Sequence, residues 1–311
     1  MLKNMETNLS KFLRKTIEYL GYAFVFTLPW QTKLILRPAE TNYSEISLYF
    51  SHIILLLILF LFLIFRLKAV ECKYNCRSII YSLVALEVFV LVSVFFAPDK
   101  ILAFYHYFIF LLAFSLFFIV RVGTEPENYQ ETLFDKFKLI YVFLSSILFQ
   151  ASLGIYQFLT QSSFPFKYLG LAAHNPDSLG TSVVETIDGR WLRAYGGMDH
   201  PNILGGVLAI SLILAAYLLA RQKLLVTKKQ IISSIFLFVF YFISLYSLFF
   251  TFSRSAWLAL AFGFLTLLVI FIVKRDKWII GRFIALLFFS ALLLMIAAAP
   301  FQDLLIVRFD A

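Results

Sequence analysis

Two arginines sit in neighbourhoods unlike those of the other cations in the chain. Arg193 opens the run Arg193-Ala194-Tyr195-Gly196-Gly197-Met198-Asp199-His200-Pro201-Asn202-Ile203-Leu204-Gly205-Gly206, and Arg254 lies in Thr251-Phe252-Ser253-Arg254-Ser255-Ala256-Trp257. Each stretch leads into a long apolar run that reads as a helix. A helix N-terminus carries unpaired N–H groups and the positive end of the dipole. Pro201 suits the first helical turn, with Asp199 or His200 near the cap, and Ser253 suits the cap of the second helix. Two such helix ends, each with an arginine, form a site suited to an oxyanion such as a phosphate. Gly205-Gly206 would let another helix approach closely. The alternative is that each arginine is a snorkelling anchor at the end of a span.

The surrounding composition sets what must position these residues. The 311 residues are 61% hydrophobic, 19% aromatic and 14% charged, with a mean hydropathy of +0.87. A soluble domain is about 45–50% apolar and about 25% charged. The 38 Phe and 16 Tyr exceed what a water-soluble fold of this length can bury. A soluble globular enzyme, a disordered chain and a disulfide scaffold are excluded, and an all-α, polytopic transmembrane bundle is expected. A spanning helix needs roughly 20 apolar residues. Nine stretches qualify, at about 16–30, 47–65, 79–97, 101–120, 139–159, 201–220, 231–250, 255–273 and 283–299. The run 231–273 would be about 64 Å long as one helix, roughly twice the hydrocarbon thickness, so it must fold back near Arg254.

With a cytoplasmic N-terminus, all but eight of the 27 Lys and Arg fall on the cytoplasmic side. The eight are Lys33, Arg37, Lys100, Lys167, Arg190, Arg193, Arg254 and Arg308. This satisfies the positive-inside rule and accounts for the net charge of +9 without nucleic acid. One membrane domain spans 1–311. The first five spans lie within 16–159, a long outer loop covers 160–200, spans six to nine lie within 201–299, and 300–311 opens a further outer segment. No cleavable signal peptide and no internal repeat is visible.

The other polar residues have quieter readings. His52, His106, His174 and His200 all fall on the outer side. His52 and His106 read as interfacial, and Arg190 beside Trp191 as a headgroup contact. Cys72 and Cys76 have no further Cys or His nearby to complete a metal site, so no metal and no cofactor is expected. Glu87, in mid-span, is costly at that depth and implies a bundle-facing hydrogen bond or a proton or substrate path.

The motifs Arg193-x-x-Gly196, His200-Pro201-Asn202-x-x-Gly205-Gly206 and Ser253-Arg254-Ser255-Ala256-Trp257-Leu258-Ala259-Leu260, in this order, resemble the O-antigen ligase and O-antigen polymerase superfamily of bacterial membrane proteins. The resemblance covers about 140–311; the N-terminal spans match by topology. It implies a helical bundle related to metal-independent lipid-linked glycosyltransferases, in the bacterial inner membrane. Such a protein takes a glycan from an undecaprenyl-diphosphate carrier on the outer face and passes it to a lipid or glycan acceptor. The resemblance puts Arg193 and Arg254 on the diphosphate; Asp199, His200, Asn202, Ser253, Ser255 and Arg308 are the candidates for further substrate contacts. It also implies a catalytic histidine beyond Ala311, so the chain is expected to be cut off before its catalytic loop, and no residue here is assigned that role. The alternative reading, motivated by Glu87, is a transporter or flippase of a lipid-linked sugar.

Overall fold

The computed structural model describes residues 8–39, 44–68, 77–123, 132–187, 189–222 and 227–310. Cys72 and Cys76 lie outside them. The described chain is mostly helical and divides into two compact units.

The first unit comprises Met1–Leu28 and Lys33–Val142. It holds α1 (Asn8–Thr27), a short antiparallel hairpin of β1 (Lys33–Arg37) and β2 (Ile46–Tyr49), α2 (Phe50–Lys68), α3 (Arg77–Phe96) and α4 (Lys100–Gly123). Its core is built by helical spacing. Ile54, Ile58, Phe62 and Phe65 form one face of α2 and pack with Leu13, Ile17 and Phe24 of α1 and with Leu112 and Ile119 of α4. Phe134 lies against Gly21, where a side chain would strike its ring. Two ion pairs tie down the hairpin: Lys33 with Glu45 at 2.6 Å, and Arg37 with Asp99 at 2.5 Å. Asp99 also caps α4 by accepting from the Leu102 amide.

The second unit comprises Pro29–Thr32 and Phe143–Ala311. It holds most of α5 (Lys136–Thr160), a hairpin of β3 (Val183–Thr186) and β4 (Gly189–Leu192), α6 (Pro201–Arg221), α7 (Lys228–Phe250), α8 (Arg254–Val273), α9 (Lys277–Ala298) and α10 (Gln302–Asp310). Helix α6 is the axis of this unit, packed by α7, α8 and α9. Leu204, Leu208, Leu212, Ala215, Ala216 and Leu219 are buried along it. Gly205 is where α8 comes closest: a Cβ there would lie 2.9 Å from the Ala256 Cβ and 3.1 Å from the Ser253 Cβ. The expected close approach is therefore made at Gly205, whereas Gly206 has open space around it. Thr227 and Gln230 start α7 with a reciprocal capping box, and Asp276 caps α9.

Helices occupy all nine stretches expected from the apolar runs. Among the described residues, six segments rather than nine are long and apolar enough to cross a membrane: Lys100–Arg121, Lys136–Thr160, Pro201–Arg221, Lys228–Phe250, Arg254–Val273 and Lys277–Phe309. The apolar lengths Phe50–Phe65 and Tyr81–Phe96 are shorter. Helix α1 begins earlier than its apolar run and carries Lys11, Arg14, Lys15 and Glu18 within its first eleven residues. Three features depart from the expectation. The loop 160–200 is ordered by its own hairpin and a 3-10 turn at Lys167–Leu169. A second hairpin precedes α2. The segment after residue 299, read as the opening of a loop, is instead a 3-10 turn (Ala299–Phe301) continued by α10. Pro300 lies in the first positions of that turn, where its missing N–H costs nothing, and Leu304 anchors α10 by burial.

Candidate functional site

The site gathers at one end of the second unit, where α6 and α8 both begin. Its frame is the segment 193–197, held from α5 by two buried glutamines. Gln157 accepts from the Tyr195 and Gly196 amides at 3.2 and 2.8 Å and donates to the Gly196 carbonyl at 2.8 Å. Gln150 accepts from the Gly197 amide at 2.6 Å and donates to the Pro29 carbonyl at 3.2 Å. Gly196 is left-handed, with φ +61, and a side chain there would press on Gln150 and Leu204. The amide of Ala194 donates to the Phe250 carbonyl at 3.0 Å. These bonds saturate an irregular backbone that burial would otherwise leave unsatisfied.

Arg193 is 3% exposed and its guanidinium bridges three parts of the chain. Nε donates to the Thr251 carbonyl, Nη1 to Ser182 Oγ and Nη2 to Asn202 Oδ1, each at 2.7 Å. Burial, and then the charge of Arg308, push its pKa down to about 10, while Tyr195 acts in the other direction. It remains a cation at neutral pH. The Thr251 carbonyl belongs to the turn joining α7 to α8. Within that turn Phe252 is fully buried at φ +47, a strained conformation for a bulky residue. Its carbonyl accepts from Arg308 Nε at 3.0 Å. Thus the two successive carbonyls of one turn each receive an arginine.

The remaining expected residues fall around this turn. Ser253 caps α8, accepting from the Ala256 amide at 3.4 Å, and its Oγ lies 3.3 Å from that of Ser255. Arg254, the first residue of α8, is exposed, and Arg308, half-buried on α10, lies close enough to feel its charge. His200 caps α6: its Nδ1 accepts from the Asn202 amide at 3.1 Å. Its proton therefore resides on Nε2. Burial, and then Arg193, lower the His200 pKa, so the ring is neutral at pH 7. Asp199 is exposed, and its charge acts on His174. His174 stacks face to face on Tyr195, with ring centroids 3.9 Å apart and planes at 18°. Among the described side chains, which do not include that of Asp310, no carboxylate lies within ion-pair distance of Arg193, Arg254 or Arg308.

Every residue expected at the site thus lies at this end of the unit, but Arg193 and Arg254 differ in kind. Arg193 is a buried clamp and Arg254 an open cation. Gln150, Gln157, Ser182, Thr251 and His174 were not foreseen. Gln150 and Gln157 did leave a trace in the sequence, as two polar residues seven apart, hence on one face of an apolar helix. Arg190, read as a headgroup contact, pairs with Glu185 across the β3–β4 hairpin at 3.1 Å. Of the quieter residues, His52 and Glu87 belong to the first unit; among the described residues neither carboxyl oxygen of Glu87 has a hydrogen-bond partner.

Fold and composition together define a multi-pass helical membrane protein with an arginine cluster at one end of its second unit that meets no carboxylate among the described side chains. No protein-family model matches the chain, and no curated protein or solved structure matches it either.

Proposed function

We propose that this protein transfers a glycan from an undecaprenyl-diphosphate carrier to a lipid or glycan acceptor at the outer face of a bacterial inner membrane, in the manner of O-antigen ligases and polymerases. The observation that carries this reading is the cluster of Arg193, Arg254 and Arg308 without a carboxylate partner among the described residues. Like charges held together repel, as Arg308 does with both neighbours. An arrangement of that kind is stabilised by an anion, and a diphosphate has the charge and the acceptor oxygens for arginine forks. The N-termini of α6 and α8 add their dipoles at the same place.

The roles divide by accessibility. Arg254 and Arg308 reach the phosphates, with Ser255 and the Nε2–H of His200 as neutral donors. Arg193 fixes the turn that presents them. In the transfer, an acceptor hydroxyl oxygen bonds to the anomeric carbon of the glycan. The bond from that carbon to the phosphate oxygen breaks, its electron pair stays on the leaving diphosphate, and the hydroxyl proton passes to a base. Fixed cations stabilise the charge that builds on the leaving group.

The test is glycan transfer from a carrier-linked donor by the purified protein in lipid nanodiscs, with no ion gradient. Arg254→Ala and Arg308→Ala are each expected to lower transfer by about 100-fold, the scale of losing one charge-stabilising donor. Unchanged transfer in both variants would overturn the reading. Donor movement across the bilayer without glycan transfer would favour transport instead.

A further inference from the structure

Pro29–Thr32, the link between α1 and β1, packs with the second unit although the chain on both sides of it belongs to the first. Pro29 is buried, and its carbonyl accepts from Gln150. The Trp30 indole N–H donates to Ser146 Oγ at 3.1 Å, also on α5. Thr32 Oγ1 donates to the Tyr168 carbonyl at 2.9 Å. Tyr168 lies in the 3-10 turn Lys167–Leu169, which Gly170 ends in a left-handed conformation at φ +68. A side chain on Gly170 would enter the backbone of the link: its Cβ would lie 2.2 Å from the Gln31 carbonyl carbon. Pro29–Thr32 is thus a strap, tied to α5 at one end and to the 167–170 turn at the other.

That turn belongs to 163–182, a stretch with little packing of its own. From Ser162 to Ser182 only Leu171 is buried. Its bonds are mostly internal. Phe166 and Leu171 exchange backbone hydrogen bonds at 3.0 and 3.1 Å, and Ser163 donates its amide to the His174 carbonyl at 3.0 Å. The stretch lies on the segment 193–197 at three points. Leu171 sits against Gly197, where an added Cβ would be 3.2 Å from Leu171 Cδ2. His174 stacks on the Tyr195 ring. Ser182 donates its amide to Tyr195 Oη at 2.5 Å and accepts from Arg193 with its hydroxyl. Contacts so few and so open yield at a cost far below that of unfolding the helices.

We infer that 163–182 is a lid over the segment 193–197, and that the strap Pro29–Thr32 is its latch. Gln150 makes the two a single device. One side-chain amide donates to the Pro29 carbonyl and accepts from the Gly197 amide, and Gly197 is the residue that Leu171 covers. A seated strap fixes the turn at Tyr168 and Gly170 and keeps Leu171 on Gly197. A released strap frees the turn, uncovers the Tyr195 ring and withdraws Ser182 from Arg193. The device governs access to the site and does not depend on the chemistry carried out there.

Amide hydrogen exchange of the full chain in lipid nanodiscs, with no substrate added, tests this. Gly170→Ala drives a methyl into the strap. Gly180→Ala is the matched control: at φ +84 it carries the same left-handed strain, with nothing within 4 Å. Relative to that control, Gly170→Ala is expected to speed exchange at Phe166, Leu171 and Gly197 by about tenfold, with α6 unchanged. Thr32→Val keeps the shape of the side chain and removes one hydrogen bond, and should speed the same amides about threefold. The latch is overturned if Gly170→Ala and Gly180→Ala exchange alike. It is also overturned if Phe166 and Leu171 quicken while Gly197 stays slow, which would make the strap a local tether of the turn. If Gly170→Ala does not fold, Thr32→Val decides, and unchanged exchange in that variant overturns the latch.

Discussion

Arg193 Nε donates to the carbonyl oxygen of Thr251 at 2.7 Å, joining the segment before α6 to the turn before α8. The same guanidinium holds Ser182 and Asn202, so one buried side chain sets the relative position of both helix starts. Without it, the buried Thr251 carbonyl, the half-buried Ser182 hydroxyl and the exposed Asn202 side chain lose a charged donor. A hydrogen bond to a charged group contributes about 1.5–3 kcal/mol.

Arg193→Ala should accordingly destabilise the second unit by several such bonds, and Arg193→Lys should rescue little, because an ammonium cannot reproduce the fork. Arg254→Ala, at an exposed position, should leave stability within about 0.5 kcal/mol. Thermal unfolding in detergent distinguishes the two. Equal midpoints for Arg193→Lys and the native chain would contradict the clamp.

Gln157→Ala should be as damaging as a core truncation. It strips partners from the Tyr195 and Gly196 amides and the Gly196 carbonyl, and each buried unsatisfied group costs about 1–3 kcal/mol. Hydrogen exchange should show the 195–197 amides losing protection, whereas Ser152→Ala, on the exposed face of the same helix, should leave them protected.

Gly205→Ala should cost about 1–3 kcal/mol, the range for overpacking, because the new methyl would lie 2.9 Å from Ala256. Gly206→Ala, with nothing within 4 Å, should be neutral or slightly stabilising in a helix. Paired melting curves check the contrast; equal effects would mean that α8 does not contact α6 at Gly205.

Acid should weaken the protein in two steps. Burial lowers the His174 and His200 pKa values below the ordinary 6.5, against the pull of Asp199 on His174 and helped by Arg193 at His200. As pH falls through 6.5 the unfolded chain binds protons that the folded chain refuses. Stability is therefore full above 6.5 and declines below it until the folded values are passed. Glu45 is held below its ordinary 4.5 by hydrogen bonds from Lys33 and then Ser47, so its contribution is present above 4.5 and is lost as pH falls further. Melting midpoints from pH 8 to pH 3 should show both steps. His174→Gln with His200→Asn, which keeps a cap acceptor, should shrink the first step and leave the second unchanged.

What the sequence determined by itself is the set of features encoded within a few residues. Apolar runs located the helices, because an apolar stretch of that length has few alternatives in a membrane. Pro201 after His200, and Ser253 before Arg254, marked two helix starts, because a cap bonds only to its own first turn. Gly205 announced a close approach without saying to what. Tertiary structure decided the rest. The partners of Arg193 come from positions 182, 202 and 251, and those of Gln157 from 195 and 196, so no local pattern could pair them. The sequence read Arg193 and Arg254 as equivalent cations. Packing buried one as a clamp and left the other open, because burial depends on which elements meet around a residue. In the same way, the docking of α10 brought Arg308 to the turn and Phe309 to Trp257, where the sequence showed only the beginning of a loop.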